Sequence, residues 1–331
     1  MLKYILKRVI ISVFILLFVM LCIYALMYAL PKGYVETRAR ELATKPGNIK
    51  TYEELVTEMK ARYGLNRGII GGFFVYLSHF VRGDFGDSWY YTIPVTEEFN
   101  KVIWNSFLLG VVSFVAEILI AIPLGVIAAR KQYSKTDYTV TVVSLIGISL
   151  PTFFTASLLK LIFAVNLGWF EVSGMHNGRY TPGVTPPAVY FWDGVAHFVL
   201  PALTLIIVSI GGLMRYTRTN MLEVLNADYI RTALAKGVPE NKVINKHAVR
   251  NMMIPLVTML GGSLPGLFAG ALITETLFSI EGIGYSAYYA MVGGDIPFTM
   301  FYLTFMAILT LLGNLMSDVC YALVDPRVRL E

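Results

Sequence analysis

VIISVFILLFVMLCIYALMYAL, residues 9–30, decides the fold class: 22 residues in succession without one charged side chain. At about 1.5 Å per residue, such a run crosses the roughly 30 Å hydrocarbon layer of a bilayer as a single helix. Five further apolar runs follow, at residues 102–129, 138–165, 195–214, 252–278 and 298–323. Backbone amides find no water in lipid, so each run is expected to be helical, giving an all-α integral membrane fold of six transmembrane helices. The whole chain agrees, being 56% hydrophobic and only 15% charged, against about a quarter charged in soluble domains.

The basic residues orient the spans. Lys3, Lys7 and Arg8 precede the first run, and Arg130, Lys131 and Lys135 separate the second from the third. Arg215, Arg218, Arg231, Lys236, Lys242, Lys246 and Arg250 fall between the fourth and fifth, and Arg327 and Arg329 follow the sixth. The alternate short loops carry only Arg179. The positive-inside rule therefore predicts both termini in the cytoplasm, so the net charge of +5 reads as topology and not as a nucleic-acid signature. The first run exceeds a signal-peptide core and no small-x-small cleavage pattern follows it, so a retained anchor is expected. The predicted organisation is an anchor at 1–30, an extracytoplasmic segment at 31–98, a five-helix core at 99–325 and a cytoplasmic tail at 326–331, with a cytoplasmic loop at 215–251.

The 31–98 segment balances nine acidic against nine basic residues. Thr51 to Glu54 has the pattern of a capping box opening a helix that closes near Gly64. Residues 69–81 are apolar but too short to cross, and lie either on the membrane surface or against the spans. The segment suits a contact surface for an external partner or a lid over the helix ends; the Arg-Gly-Asp at 82–84 is a chance match. Cys22 and Cys320 sit inside apolar runs and read as packing residues. His79, His176, His197 and His247 show no metal-ligand spacing, and no Gly-rich loop with Gly-Lys-Ser/Thr is present to hold ATP.

Residues 228–251, DYIRTALAKGVPENKVINKHAVRN, break the apolar pattern. Asn226 or Asp228 is expected to cap a helix with Tyr229, Ile230, Ala233 and Leu234 on one face. Gly237 is placed to end it and Pro239 to open the next, a helix–turn–helix of low profile that another protein can approach.

YIRTALAKG at 229–237 and HAVRNMMIPL at 247–256 resemble the EAA-loop region of ABC importer permeases, in the oligopeptide/dipeptide/nickel variant. The resemblance extends through RGDFGDSWYYTIPV, AIPLGVIAARKQYSKTD, GISLPTFF, LPALTL, MLEVLNADYIRTALAKG, ETLF, GIG and DPRVRL, in family order. It implies a type I importer permease fold in the cell membrane of a prokaryote, forming half of a pathway whose other half is a homologous permease. It also implies two cytoplasmic ATPase subunits, which bind ATP and Mg while this chain holds no cofactor, and an extracytoplasmic solute-binding protein. Asn226, Asp228, Tyr229, Ile230, Ala233, Leu234 and Gly237 match the helix that couples to the ATPases. The implied cargo is an oligopeptide or dipeptide, with nickel or another small solute as the alternative. Departures are Arg231, Thr232 and Ala233 in place of Glu-Ala-Ala, the LPKGYVETRA that follows the first span, and SIEGIG after ETLF.

Several residues are candidates for the pathway or a gate. Pro265, among Gly262, Gly266 and Gly270, suits close helix approach and a local break. Glu275 and Asp295 stand at span ends, where hydration or a helix-end interaction competes with substrate contact. Glu117 and Lys160 lie within apolar runs, where ionisable groups face protein or water: they pair, meet a partner subunit or line the path. Asn105, Asn166 and Asn314 read as interhelical hydrogen-bonders or interfacial residues. A secondary transporter, with Glu117 as its ion site, is the competing class, and no catalytic constellation is evident.

Overall fold

The computed structural model describes residues 2–29, 33–44 and 49–324. The 326–331 tail, with Arg327 and Arg329, and the whole DPRVRL motif lie outside the described residues, as does the start of LPKGYVETRA. Among the described residues the regular elements are helices, with one isolated bridge between Asp87 and Pro94. In chain order they are α1 (Leu2–Ala29), α2 (Gly33–Ala43), α3 (Tyr52–Arg62), α4 (Gly68–Val81), α5 (Val95–Arg130), α6 (Lys135–Ser149) and α7 (Thr152–Leu159), which continues as a π-helical segment, Lys160–Asn166. Then come α8 (Pro187–Leu225), α9 (Asp228–Ala235), α10 (Glu240–Lys242), a second π-helical segment (Val243–Ala248), and α11 (Val249–Gly261). Last are α12 (Leu264–Phe268), α13 (Leu272–Phe278), α14 (Ile283–Val292) and α15 (Ile296–Val324).

Four stretches are uninterrupted and apolar enough to cross a membrane: Ile5–Ala29, Val95–Arg130, Pro187–Leu225 and Ile296–Tyr321. The third and fifth predicted runs are bent pairs, Lys135–Ser149 with Thr152–Asn166 at 103° and Glu240–Gly261 with Leu264–Phe278 at 45°. Counting each pair as one span gives six. The expected continuity of 138–165 therefore fails at Pro151, which lacks an amide proton and pushes the preceding residue out of the helical region. Leu150 accordingly sits at φ −80°, ψ 125°.

The chain divides into two compact units, Met1–Val102 with Ser286–Leu312 and Ile103–Tyr285 with Gly313–Glu331. In the first, the capping box forms as predicted: Thr51 Oγ1 accepts from the Glu54 amide at 3.3 Å, and Glu54 Oε2 accepts from the Thr51 amide at 2.8 Å. Gly64 follows at φ +65°. Lys60 donates to Glu36 at 2.6 Å, joining α3 to α2, and that hydrogen bond holds the Glu36 carboxyl below the usual carboxylate range. Residues 69–81 pack against a span. Gly72 lies so near the Tyr24 ring that no Cβ would fit, and Tyr24 Oη donates to Tyr63 O at 2.8 Å. Cys22 is exposed, which corrects the reading of it as a packing residue.

The second unit is built on backbone approach. A Cβ at Gly147 in α6 would stand 2.7 Å from Ile207 O in α8, and one at Gly110 in α5 would stand 2.7 Å from Leu267 O. Gly313 faces Pro265, and Gly261 faces Ser317 and Cys320. At the far end of α8, Arg218 clamps Asp137 of α6 with two hydrogen bonds of 2.5 and 2.8 Å, the bidentate geometry that fixes both partners. Gly147→Ala is therefore expected to lower the thermal unfolding midpoint of the detergent-solubilised protein, with overpacking costing about 1–3 kcal/mol. Gly212→Ala, whose Cβ would meet nothing within 4 Å, should leave it unchanged or raise it.

Candidate functional site

The 226–251 segment starts where α8 stops. Residues 215–225 extend that helix beyond the apolar run to Leu225, so Asn226 caps its end, with Nδ2 donating to Leu222 O at 2.9 Å. The expected capping of the following helix by Asn226 or Asp228 is thus incorrect. Ala227, extended at ψ 147°, occupies the N-cap without a side-chain bond, and Asp228 is the first residue of α9. There its carboxylate faces the positive end of the helix dipole.

The predicted end is observed. Gly237 adopts φ +77°, its amide donates to Leu234 O at 2.9 Å, and the Val238 amide donates to Ala233 O at 3.2 Å. This is a Schellman closure, which the left-handed conformation makes cheap only for glycine. Pro239 opens the next helix, but that helix does not stop. It runs through α10 and the π-helical segment into α11, so the second member is the head of the fifth span and not a separate short helix.

Tyr229, Ile230, Ala233 and Leu234 lie on one arc of α9 with unequal burial. Ile230, 2% exposed, enters a core with Met221 of α8, Val243, Ile244, Ala248 and Met252, and Ala233 packs on its edge. Tyr229 and Leu234, at the flanks, are 47% and 45% exposed. The helix is rooted by its centre and presents its two apolar shoulders. Arg130 Nη2, at the end of α5, donates to Asn241 Oδ1 at 3.1 Å and steadies the next helix start.

The pathway candidates do not gather in one place. Glu275, expected to be hydrated or at a helix end, is fully buried. Its Oε1 accepts from Ser106 Oγ at 2.7 Å and from the Ala271 amide at 2.9 Å, and its Oε2 accepts from the Tyr285 amide at 2.8 Å. Ser106 Oγ in turn accepts from the Ile283 amide at 2.7 Å. Lys160 donates to Leu277 O at 2.6 Å above the Phe278 ring, so Glu275 and Lys160 secure opposite ends of α13. Asn105 Nδ2 donates to Glu281 O at 2.7 Å, fixing the loop that follows.

Glu117 does not pair with Lys160; it lies half-buried against Ser209 of α8. Asp295 is an N-cap, accepting from the Phe298 amide at 3.1 Å, and it also takes the Tyr90 amide at 3.0 Å and the Ser88 hydroxyl. Pro265 begins α12, but Gly262, Gly266 and Gly270 form no stripe. Gly262 ends α11, Gly266 meets nothing, and Gly270 is a turn at φ +75°.

Sequence reading missed Ser106, since a serine in an apolar helix gives no signal. It also left the histidines apart. His176 stacks on Tyr190 with its Nδ1 3.2 Å from Asp193 Oδ2, while His197 Nδ1 donates to Asp193 O at 2.8 Å. Among the described residues no group of three or more His, Cys, Asp or Glu side chains is arranged to hold a metal.

Residues 121–330 match the family model described as the binding-protein-dependent transport system inner membrane component, over more than half the chain and across the whole rooted segment. The chain belongs to that family. It is 38% identical over 268 residues to the oligopeptide transport system permease protein AppB of Bacillus subtilis, covering 81% of this chain and 83% of that protein. It is 35% identical over 286 residues to the dipeptide transport system permease protein DppB of Escherichia coli, covering 82% and 84%. With the oligopeptide transport system permease protein OppB of Haemophilus influenzae the identity is 32% over 280 residues, covering 83% and 86%. As a family member it is a multi-pass membrane component of a transport system, and α9 lies within the matched residues, buried at Ile230 and exposed at Tyr229 and Leu234.

Removing the Glu275 carboxylate should be felt at once. Glu275→Ala leaves amides and a hydroxyl buried without an acceptor, and is expected to destabilise the protein by about 3 kcal/mol. A large fall in the unfolding midpoint checks this, with the exposed Glu223→Ala as the neutral control.

Proposed function

We propose that this chain is a transmembrane subunit of an ATP-driven peptide importer, receiving the motion of cytoplasmic ATPase subunits through α9. The observation that carries the reading is the asymmetry of that helix: Ile230 rooted in the core, Tyr229 and Leu234 offered outward. A partner groove that seats the shoulders of such a helix moves its root. The root touches Met221 at the end of α8 and Met252 at the head of α11, and the Arg218–Asp137 clamp adds α6. A push on α9 is thereby delivered to three spans together.

The basic residues of the 215–251 region support a cytoplasmic α9 under the positive-inside rule, with the 31–98 segment outside to receive a solute-binding protein. A homologous permease supplies the other half of the path. ATP and Mg belong to the ATPase subunits, and this chain contributes binding and movement, not bond chemistry. Relatives named for oligopeptide and dipeptide transport favour peptide cargo over nickel chelates.

Replacing Leu234 by Arg and Tyr229 by Asp is expected to reduce co-purification of the ATPase subunits and ATP-dependent peptide uptake by about tenfold or more, equivalent to about 1.4 kcal/mol of lost binding. For Leu234→Arg alone the unfolding midpoint should stay within a degree or so, because surface substitutions change stability little. These positions are cleaner than Ala233, which touches the core, or Gly237, whose left-handed backbone penalises any other residue. Uptake driven by an ion gradient and indifferent to ATPase subunits would defeat the reading.

A further inference from the structure

Within the second unit an open, shallow cavity of about 440 Å³ lies among α8, the bent α11–α12 pair and α15. Its volume falls in the range of small-ligand sites, about 300–1,000 Å³. Five of its nine lining residues carry a hydroxyl, namely Tyr216, Thr258, Ser263, Ser317 and Tyr321, and none is charged. None of Glu117, Lys160, Pro265, Glu275 and Asp295 lines it. We propose that this cavity is one wall of a binding site for the main chain of the transported peptide, completed by the second transmembrane subunit; the inference rests on the importer reading above.

The hydroxyls have a defined polarity. Thr258 Oγ1 donates to Ile254 O at 3.1 Å, Ser263 Oγ to Met259 O at 3.3 Å, and Ser317 Oγ to Thr258 O at 2.8 Å. With each proton committed to a helix carbonyl, what these oxygens retain is accepting capacity. Peptide N–H groups are the matching donors. Tyr216 and Tyr321, 39% and 40% exposed, carry rotatable hydroxyls that donate to carbonyls. The wall therefore offers both halves of a peptide bond's hydrogen bonding and no charge that would select a side chain.

The backbone supports the same conclusion. The fifth span bends by 45° between Gly261 and Leu264, and the cavity-lining Gly262 and Ser263 form that bend. Non-helical backbone at membrane depth is tolerated where it is buried in protein or faces a water-filled space. A lipid chain would offer the two tyrosine hydroxyls no acceptor and the three committed hydroxyl oxygens no donor, so it matches this wall less well than a peptide main chain does. A bare cation would find no carboxylate.

The test uses the assembled importer with Cys22 and Cys320 replaced by alanine. Ser263→Cys and Ser317→Cys are introduced singly, with Phe18→Cys on the exposed face of α1 as a lipid-facing control. In nanodiscs, the charged reagent MTSET is expected to modify both cavity cysteines and spare position 18. Saturating trialanine should slow that modification by about tenfold, because an occupied site excludes the reagent. Trilysine and triglutamate should protect to within about twofold of trialanine, since an uncharged wall does not discriminate between them. ATP-dependent trialanine uptake is measured in parallel on the cysteine-free parent. Uptake without protection, modification by membrane-permeant N-ethylmaleimide but not by MTSET, or strong selection for one charge would each overturn the main-chain site while leaving the importer reading standing. Absent uptake by the parent would overturn that reading and the site with it.

Discussion

Hydrocarbon offers a peptide group no hydrogen bond, so each departure from the helix inside a span must be answered by the protein itself. That constraint organises this molecule. Helices α1, α5, α8 and α15 meet it by running unbroken. The third and fifth runs do not, and several polar side chains gather around α13, in the second half of the fifth. Glu275 gathers the amides of Ala271 and Tyr285, Lys160 takes the carbonyl of Leu277, and Asn105 takes that of Glu281. Polar side chains that stand out in an apolar sequence here complete backbone hydrogen bonding at the start and end of α13.

The same logic separates polar groups spent on the fold from those with bonding capacity left. A carboxylate with its oxygens already engaged by the fold has little left for cargo, whereas hydroxyls that have given their protons to helix carbonyls still accept. Glu275 and Asp295 belong to the first kind, and the cavity beside Ser263 and Ser317 to the second. The charged candidates drew notice because ionisable groups are costly at depth. The hydroxyls drew none, because a serine or threonine on a helix normally folds back on its own carbonyls.

Helix α9 shows what an amphipathic pattern leaves open. Its arc of Tyr229, Ile230, Ala233 and Leu234 was legible, as were the glycine that ends it and the proline that follows. Which part of the arc is root and which is surface was not, since periodicity gives direction but not depth. The cap was misplaced for a related reason. Asn226 suits either the end of one helix or the start of the next, and only the continuation of α8 through Leu225 decides between them.

The sequence alone determined that this is an all-helical membrane protein, where its apolar runs fall, that residues 51–54 cap a helix, and which family it resembles. Those features depend on local composition, short-range hydrogen bonding and motif order, all of which are written along the chain. Only the tertiary structure decided that Pro151 turns the third run through 103°, that Ser106 and Glu275 meet, and that Arg218 holds Asp137. The two pairs join residues 169 and 81 positions apart. Such contacts are set by how closely Gly147 lets α6 approach α8 and Gly110 lets α5 approach Leu267, a matter of packing that no single stretch of sequence records.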